Sequence, residues 1–65
     1  MTEREEHLLN SLFDLKRGIT YYESELTKYP NDSYIQTEFK RRKEYCEQKF
    51  NAALNELKGG DPFGN

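Results

Sequence analysis

The sequence predicts an all-α protein, an antiparallel two-helix hairpin that dimerises into a four-helix bundle, and three observations carry that expectation. Apolar residues recur at helical spacing along two long stretches, Leu8 to Tyr29 and Tyr34 to Leu57. A proline-containing turn, Tyr29-Pro30-Asn31-Asp32-Ser33, separates them, and a connection this short sends the second helix back along the first. Each apolar stripe is also broader than one facing helix can cover, which calls for a second layer.

The first helix opens on Thr2 with Glu5 three residues on, the spacing of a capping box in which hydroxyl and carboxylate satisfy each other's backbone N–H. Glu3, Glu5 and Glu6 add negative charge at the positive end of the helix dipole. Leu8, Leu12, Leu15, Ile19, Tyr22, Leu26 and Tyr29 then follow at alternating steps of four and three, a 3.5-residue repeat that builds one continuous seam. Leu9 and Phe13 lie beside that seam and widen the apolar face near the N-terminus. Tyr21 points away from it. Gly18 followed by Ile19, Thr20, Tyr21 and Tyr22 favours a kink or strand locally, but the seam keeps its phase on both sides. The helix therefore runs from about residue 2 to 29, where Pro30 disfavours helical geometry in its predecessor.

Residues 30–33 form the turn, rich in short polar side chains that bond to neighbouring backbone. Ser33 with Gln36 repeats the capping-box spacing, and Asn31 and Asp32 compete for the cap. The second helix spans about 33–58. Its inward residues recur at eleven: Ile35, Cys46 and Leu57; Phe39 and Phe50; Tyr34 and Tyr45; Arg42 and Ala53. Eleven residues in three turns is close to the pitch of a straight helix, so strong supercoiling is not expected. Gly59-Gly60 ends the helix, and residues 61–65 form a flexible tail. Residues 1–60 thus make one domain.

Folding the hairpin about its turn sets Tyr22 against Phe39, Ile19 against Arg42, Leu15 against Cys46 and Leu12 against Phe50. Gly18 comes level with Arg42, and the missing side chain leaves room for the arginine stem, with Glu38 and Glu23 available to its charge. The expected interface comprises Leu8, Leu9, Leu12, Phe13, Leu15, Ile19, Tyr22, Leu26, Phe39, Cys46, Phe50 and Leu54, with Leu12, Leu15, Cys46 and Phe50 innermost in the dimer.

Composition narrows the function. With 34% hydrophobic and 34% charged residues, the chain is hydrophilic, yet its apolar residues fall on stripes, which argues against disorder. A formal charge of -2 provides no global attraction to nucleic acid or to an anionic membrane. The longest apolar run, Ala52-Ala53-Leu54, is far short of a signal-peptide core or a membrane span. Cys46 is the only cysteine, which excludes an internal disulfide and fits a reducing compartment. These features lead us to expect a soluble cytoplasmic protein with no membrane association.

No catalytic or metal-binding motif is present. His7, the only histidine, lies among glutamates away from the seam, without the convergent ligands a metal needs. Cys46 sits on the apolar stripe without a histidine to activate it. Carboxylates alternate with bases at helical spacing, as with Glu25 and Lys28 or Glu38 and Arg42, the pattern of a solvated face. The expectation is therefore a non-enzymatic interaction module without cofactor or metal, an adaptor, inhibitor or assembly protein that pairs with itself and with another protein. The alternative is an RNA- or DNA-binding bundle. Its contacts would be Lys16, Arg17, Lys40, Arg41 and Lys43, which the hairpin gathers into a basic belt at mid-height, diluted by Asp14, Glu44 and Glu47.

Two resemblances accompany these readings. Asp61, Pro62 and Phe63, behind two glycines, resemble the acidic Pro-Phe tips of bacterial single-strand-binding proteins and the DPF motifs of endocytic adaptors, and imply a short docking motif; Phe63 folding back near Leu57 is the plain alternative. The plan of two helices and a tight turn resembles in architecture the Rop family of plasmid-encoded RNA-binding dimers, and small helical-hairpin secretion chaperones. The alternating Ala and Leu core layers of the Rop family are absent here, so no residue role carries over.

Overall fold

Residues 2–59 are described by a computed structural model in which two helices, α1 (Glu3–Lys28) and α2 (Ser33–Gly59), pack against each other. There is no strand among the described residues, and the helix passes through Gly18 unbroken. Gly60 and the tail residues Asp61, Pro62 and Phe63 lie outside the described residues.

The capping box forms as the sequence predicts. Thr2 is extended (φ -82°, ψ 163°); its Oγ1 accepts from the Glu5 N–H at 3.1 Å, while its own N–H donates to Glu5 Oε1 at 2.9 Å. At the other end of α1 the Tyr29 N–H donates to the Glu25 carbonyl at 3.0 Å, and Lys28 in the last turn sits 3.5 Å from Glu25. The second cap differs from the expected Ser33–Gln36 box. Asp32 takes the position: its Oδ1 accepts from the Ile35 N–H at 3.1 Å, and its carbonyl from the Gln36 N–H at 2.9 Å. A carboxylate at the positive end of a helix gains from the dipole as well as the hydrogen bond, which a serine hydroxyl does not. Gln36 is thereby released for another task, described below.

Contacts between the helices fix their antiparallel sense. Arg4 pairs with Glu56 at 3.2 Å near the open end, Lys43 with Glu23 at 3.5 Å at mid-height, and the Gln36 side chain reaches Leu26 beside the turn. Tyr22 meets Phe39 edge-to-face, ring centroids 5.3 Å apart, as the folding of the hairpin requires. The core is a narrow line of Leu8, Leu12, Ile19 and Phe39, and no large side chain among the described residues is fully buried.

Two expected contacts fall elsewhere. The space over Gly18 belongs to Cys46, whose Sγ would lie 3.7 Å from a Cβ added at Gly18. Arg42 instead lies over the Phe39 ring at 5.6 Å, with its Nε 3.7 Å from Glu38, an arrangement that keeps the guanidinium wet while its stem covers the ring. Glu23, the other carboxylate expected to serve Arg42, is taken by Lys43. Tyr34 and Tyr45, expected to point inward, are 60% and 59% exposed. Each directly precedes a half-buried residue, Ile35 or Cys46, and one residue is about 100° of helix rotation, enough to leave a seam only one helix wide.

Candidate functional site

The hairpin measures 45 × 22 × 12 Å, so it is two helices wide and one helix thick. Its radius of gyration of 14.6 Å exceeds the roughly 11 Å of a compact chain of this length. Both broad faces are consequently outer surface. They constitute the candidate site.

One face carries aromatic rings and cations. Tyr21 packs on Tyr22 and Phe39, with centroids 5.5 and 6.0 Å away, so a residue that points off the seam still shields its turn-proximal end. A shallow groove follows between Tyr22, Arg42, Tyr45 and Cys46, and Lys49 lies over the Tyr45 ring at 5.4 Å. Nearer the open end His7 and Ser11 of α1 face Tyr45 and Lys49 of α2. Cys46 is a free, half-buried thiol at the floor of this face.

The opposite face is framed by Lys16, Ile19 and Glu23 on α1 and Glu47, Phe50 and Asn51 on α2. Lys43 bridges it, 3.5 Å from Glu23 and 3.9 Å from Glu47.

The residues expected at an interface separate into three classes. Leu8, Leu12, Ile19 and Phe39 are buried inside one hairpin; Leu9, Leu15, Tyr22, Leu26, Cys46, Phe50 and Leu54 are half-buried; Phe13 is 65% exposed. The half-buried set is the apolar surface that one partner helix fails to cover.

The basic belt is largely spoken for by carboxylates. Arg17 is held by Asp14, Arg41 donates to Glu38 at 2.8 Å, and Lys43 serves Glu23 and Glu47. The hydrogen bond from Arg41 holds the Glu38 carboxyl below its ordinary value; partial desolvation opposes this, and the charges of Arg41 and Arg42 add to it. Reciprocally, the same bond raises Arg41. Lys16 and Lys40 make no ion pair among the described residues.

The feature that sequence reasoning missed is Gln36. Its Nε2 donates to the carbonyls of Leu26 and Tyr29, both at 3.0 Å, so α2 supplies the C-terminal cap of α1. A glutamine three residues after a serine reads as a capping box, and only the fold-back brings the end of α1 within its reach.

Among the described residues no group of three or more His, Cys, Asp or Glu side chains is placed to hold a metal ion, and no helix is long and apolar enough to cross a membrane. Compared with protein-family models, with curated proteins and with solved structures, the chain has no significant match to any of them.

Proposed function

We propose that the protein is a non-enzymatic helical interaction module that works by self-association and by presenting its helical faces to a partner protein. The observation that supports this reading is the thinness of the core: among the described residues four buried apolar side chains, none fully enclosed, hold together two helices of 26 and 27 residues. Burying an apolar side chain contributes roughly 1.5–3 kcal/mol, while ordering each residue costs about 1.5 kcal/mol. An isolated hairpin with so little enclosed surface is marginal. Covering Leu9, Phe13, Phe50 and Leu54 with a second copy supplies the missing burial, and a symmetric pair of hairpins closes a four-helix bundle.

Sedimentation equilibrium of the full chain tests the proposal. A species of twice the 7.8 kDa chain mass is expected, with a melting temperature that rises with protein concentration. A well-folded monomer at high micromolar concentration overturns it.

A further inference from the structure

We infer that the second copy docks on the outer stripe of α1, antiparallel to it, through a seam formed by Glu6, Leu9, Phe13 and Lys16. The inference rests on the self-association reading and specifies its geometry. These residues recur at steps of three, four and three, the same 3.5-residue repeat as the seam buried against α2 but displaced roughly a third of a turn round the helix. Leu9 is half-buried and Phe13 is 65% exposed, so both keep apolar surface available for a partner. Lys16 also borders the groove that holds Phe50, which makes the stripe continuous with the uncovered apolar surface of that face.

Charge identifies the occupant. Glu6 lies three residues before Leu9, and Lys16 lies three residues after Phe13, so the stripe reads acidic, apolar, apolar, basic and is symmetric about its midpoint. The N-cap Thr2, four residues before Glu6, and Thr20, four residues after Lys16, extend the symmetry with a matched pair of small polar residues. A two-fold axis perpendicular to the helix at that midpoint places Leu9 against the second copy's Phe13, and Glu6 against the second copy's Lys16, each contact occurring twice. Parallel pairing instead sets Glu6 beside Glu6 and Lys16 beside Lys16, which is repulsive. Both charges are exposed, and neither makes an ion pair among the described residues, whereas the adjacent Arg17 is already held by Asp14. A stripe that complements itself only when reversed fits a second copy of this chain.

Charge exchange on the full-length protein provides the test. Glu6→Lys and Lys16→Glu, each at an exposed helical position, should weaken the homodimer roughly tenfold at low salt and less at high salt. Mixing these two variants should produce a heterodimer, because every layer then pairs opposite charges, and the double variant Glu6→Lys/Lys16→Glu should recover the parent affinity. Circular dichroism checks that all variants keep their helicity. A parent dimer whose affinity is unchanged by either single substitution, or two singles that do not combine, overturns this seam and leaves self-association standing. A parent protein that sediments as a monomer overturns both.

Discussion

The side-chain amide of Gln36 donates to the carbonyl oxygen of Leu26 across the hairpin at 3.0 Å, so the first turn of α2 closes the last turn of α1. The last four carbonyls of a helix have no partner within it, and Leu26 contributes one of them. The same amide also reaches the Tyr29 carbonyl, which ties the turn to both helices. Gln36→Ala should cost about 1 kcal/mol for the lost hydrogen bonds. Gln36→Glu should cost more, because an ionised carboxylate has no hydrogen to donate and faces two carbonyl oxygens. Urea unfolding of the three proteins at one fixed concentration gives the ranking; equal midpoints for parent and Gln36→Ala would remove the cap from the account.

Gly18 is a helical glycine facing Cys46, and a methyl group there would lie at ordinary contact distance, 3.7 Å, from the sulfur. No strain opposes the substitution, so Gly18→Ala should stabilise the hairpin by roughly 0.5–1 kcal/mol through the reduced freedom of the unfolded chain. Gly18→Leu should do the opposite, since a branched side chain has to displace Cys46. Thermal melts at matched concentration decide it, and destabilisation by alanine would mean that the helices approach more closely here than 3.7 Å implies.

Acid should loosen the middle of α2. The folded-state value of Glu38 lies below its ordinary 4.5, chiefly because of the hydrogen bond from Arg41, so ionised Glu38 favours the folded state. A depressed carboxylate contributes its full stabilisation above the unfolded value and loses it as pH falls through the folded one. Unfolding free energy should therefore drop on acidification below about pH 4.5, and Glu38→Gln should flatten part of that drop. The effect is small, since Arg41 is exposed and salt screens it. An identical acid limb in parent and Glu38→Gln would assign the drop to other carboxylates.

What could be read from the chain alone follows the range of the interactions involved. Thr2 and Glu5 are three residues apart, so their mutual cap depends on nothing outside one turn and is visible in the sequence. The Leu8-to-Tyr29 seam is visible for the same reason, and its pairing of Tyr22 with Phe39 follows once the turn is placed. Gln36, Arg42 and Tyr34 were harder. Gln36 and Tyr34 have local readings that the antiparallel neighbour and the narrowness of the seam override: Gln36 finds the end of α1, and Tyr34 is left outside because one facing helix covers too small an arc; Arg42 settles on Phe39 of its own helix, where the fold-back pairing offered a contact across the hairpin instead. The candidate faces were legible as apolar residues in excess of what two helices bury; the neutralisation of the basic belt was legible in part, because Asp14, Glu38 and Glu47 lie within one turn of Arg17, Arg41 and Lys43, whereas Lys43 finds Glu23 only across the hairpin.

That neutralisation leads to the last prediction, which concerns nucleic acid. Binding to a phosphate backbone draws its free energy from cations that replace condensed counterions, and it weakens steeply as salt rises. Of the six basic residues at the waist of the molecule, Arg17, Arg41, Arg42 and Lys43 already sit beside Asp14, Glu38, Glu23 or Glu47. To contact phosphate they would bring those carboxylates with them or give up pairs that hold the helices. Lys16 and Lys40 remain, a footprint of two charges on a chain whose formal net charge is -2. In the proposed antiparallel dimer Lys16 would be further engaged by Glu6 of the second copy, leaving Lys40 alone. A gel-shift titration with single-stranded RNA and with duplex DNA at low salt should therefore show no complex at micromolar protein. A retarded band that fades as salt is raised and disappears in Lys16→Glu/Lys40→Glu would restore the nucleic-acid reading in place of the protein-interaction one.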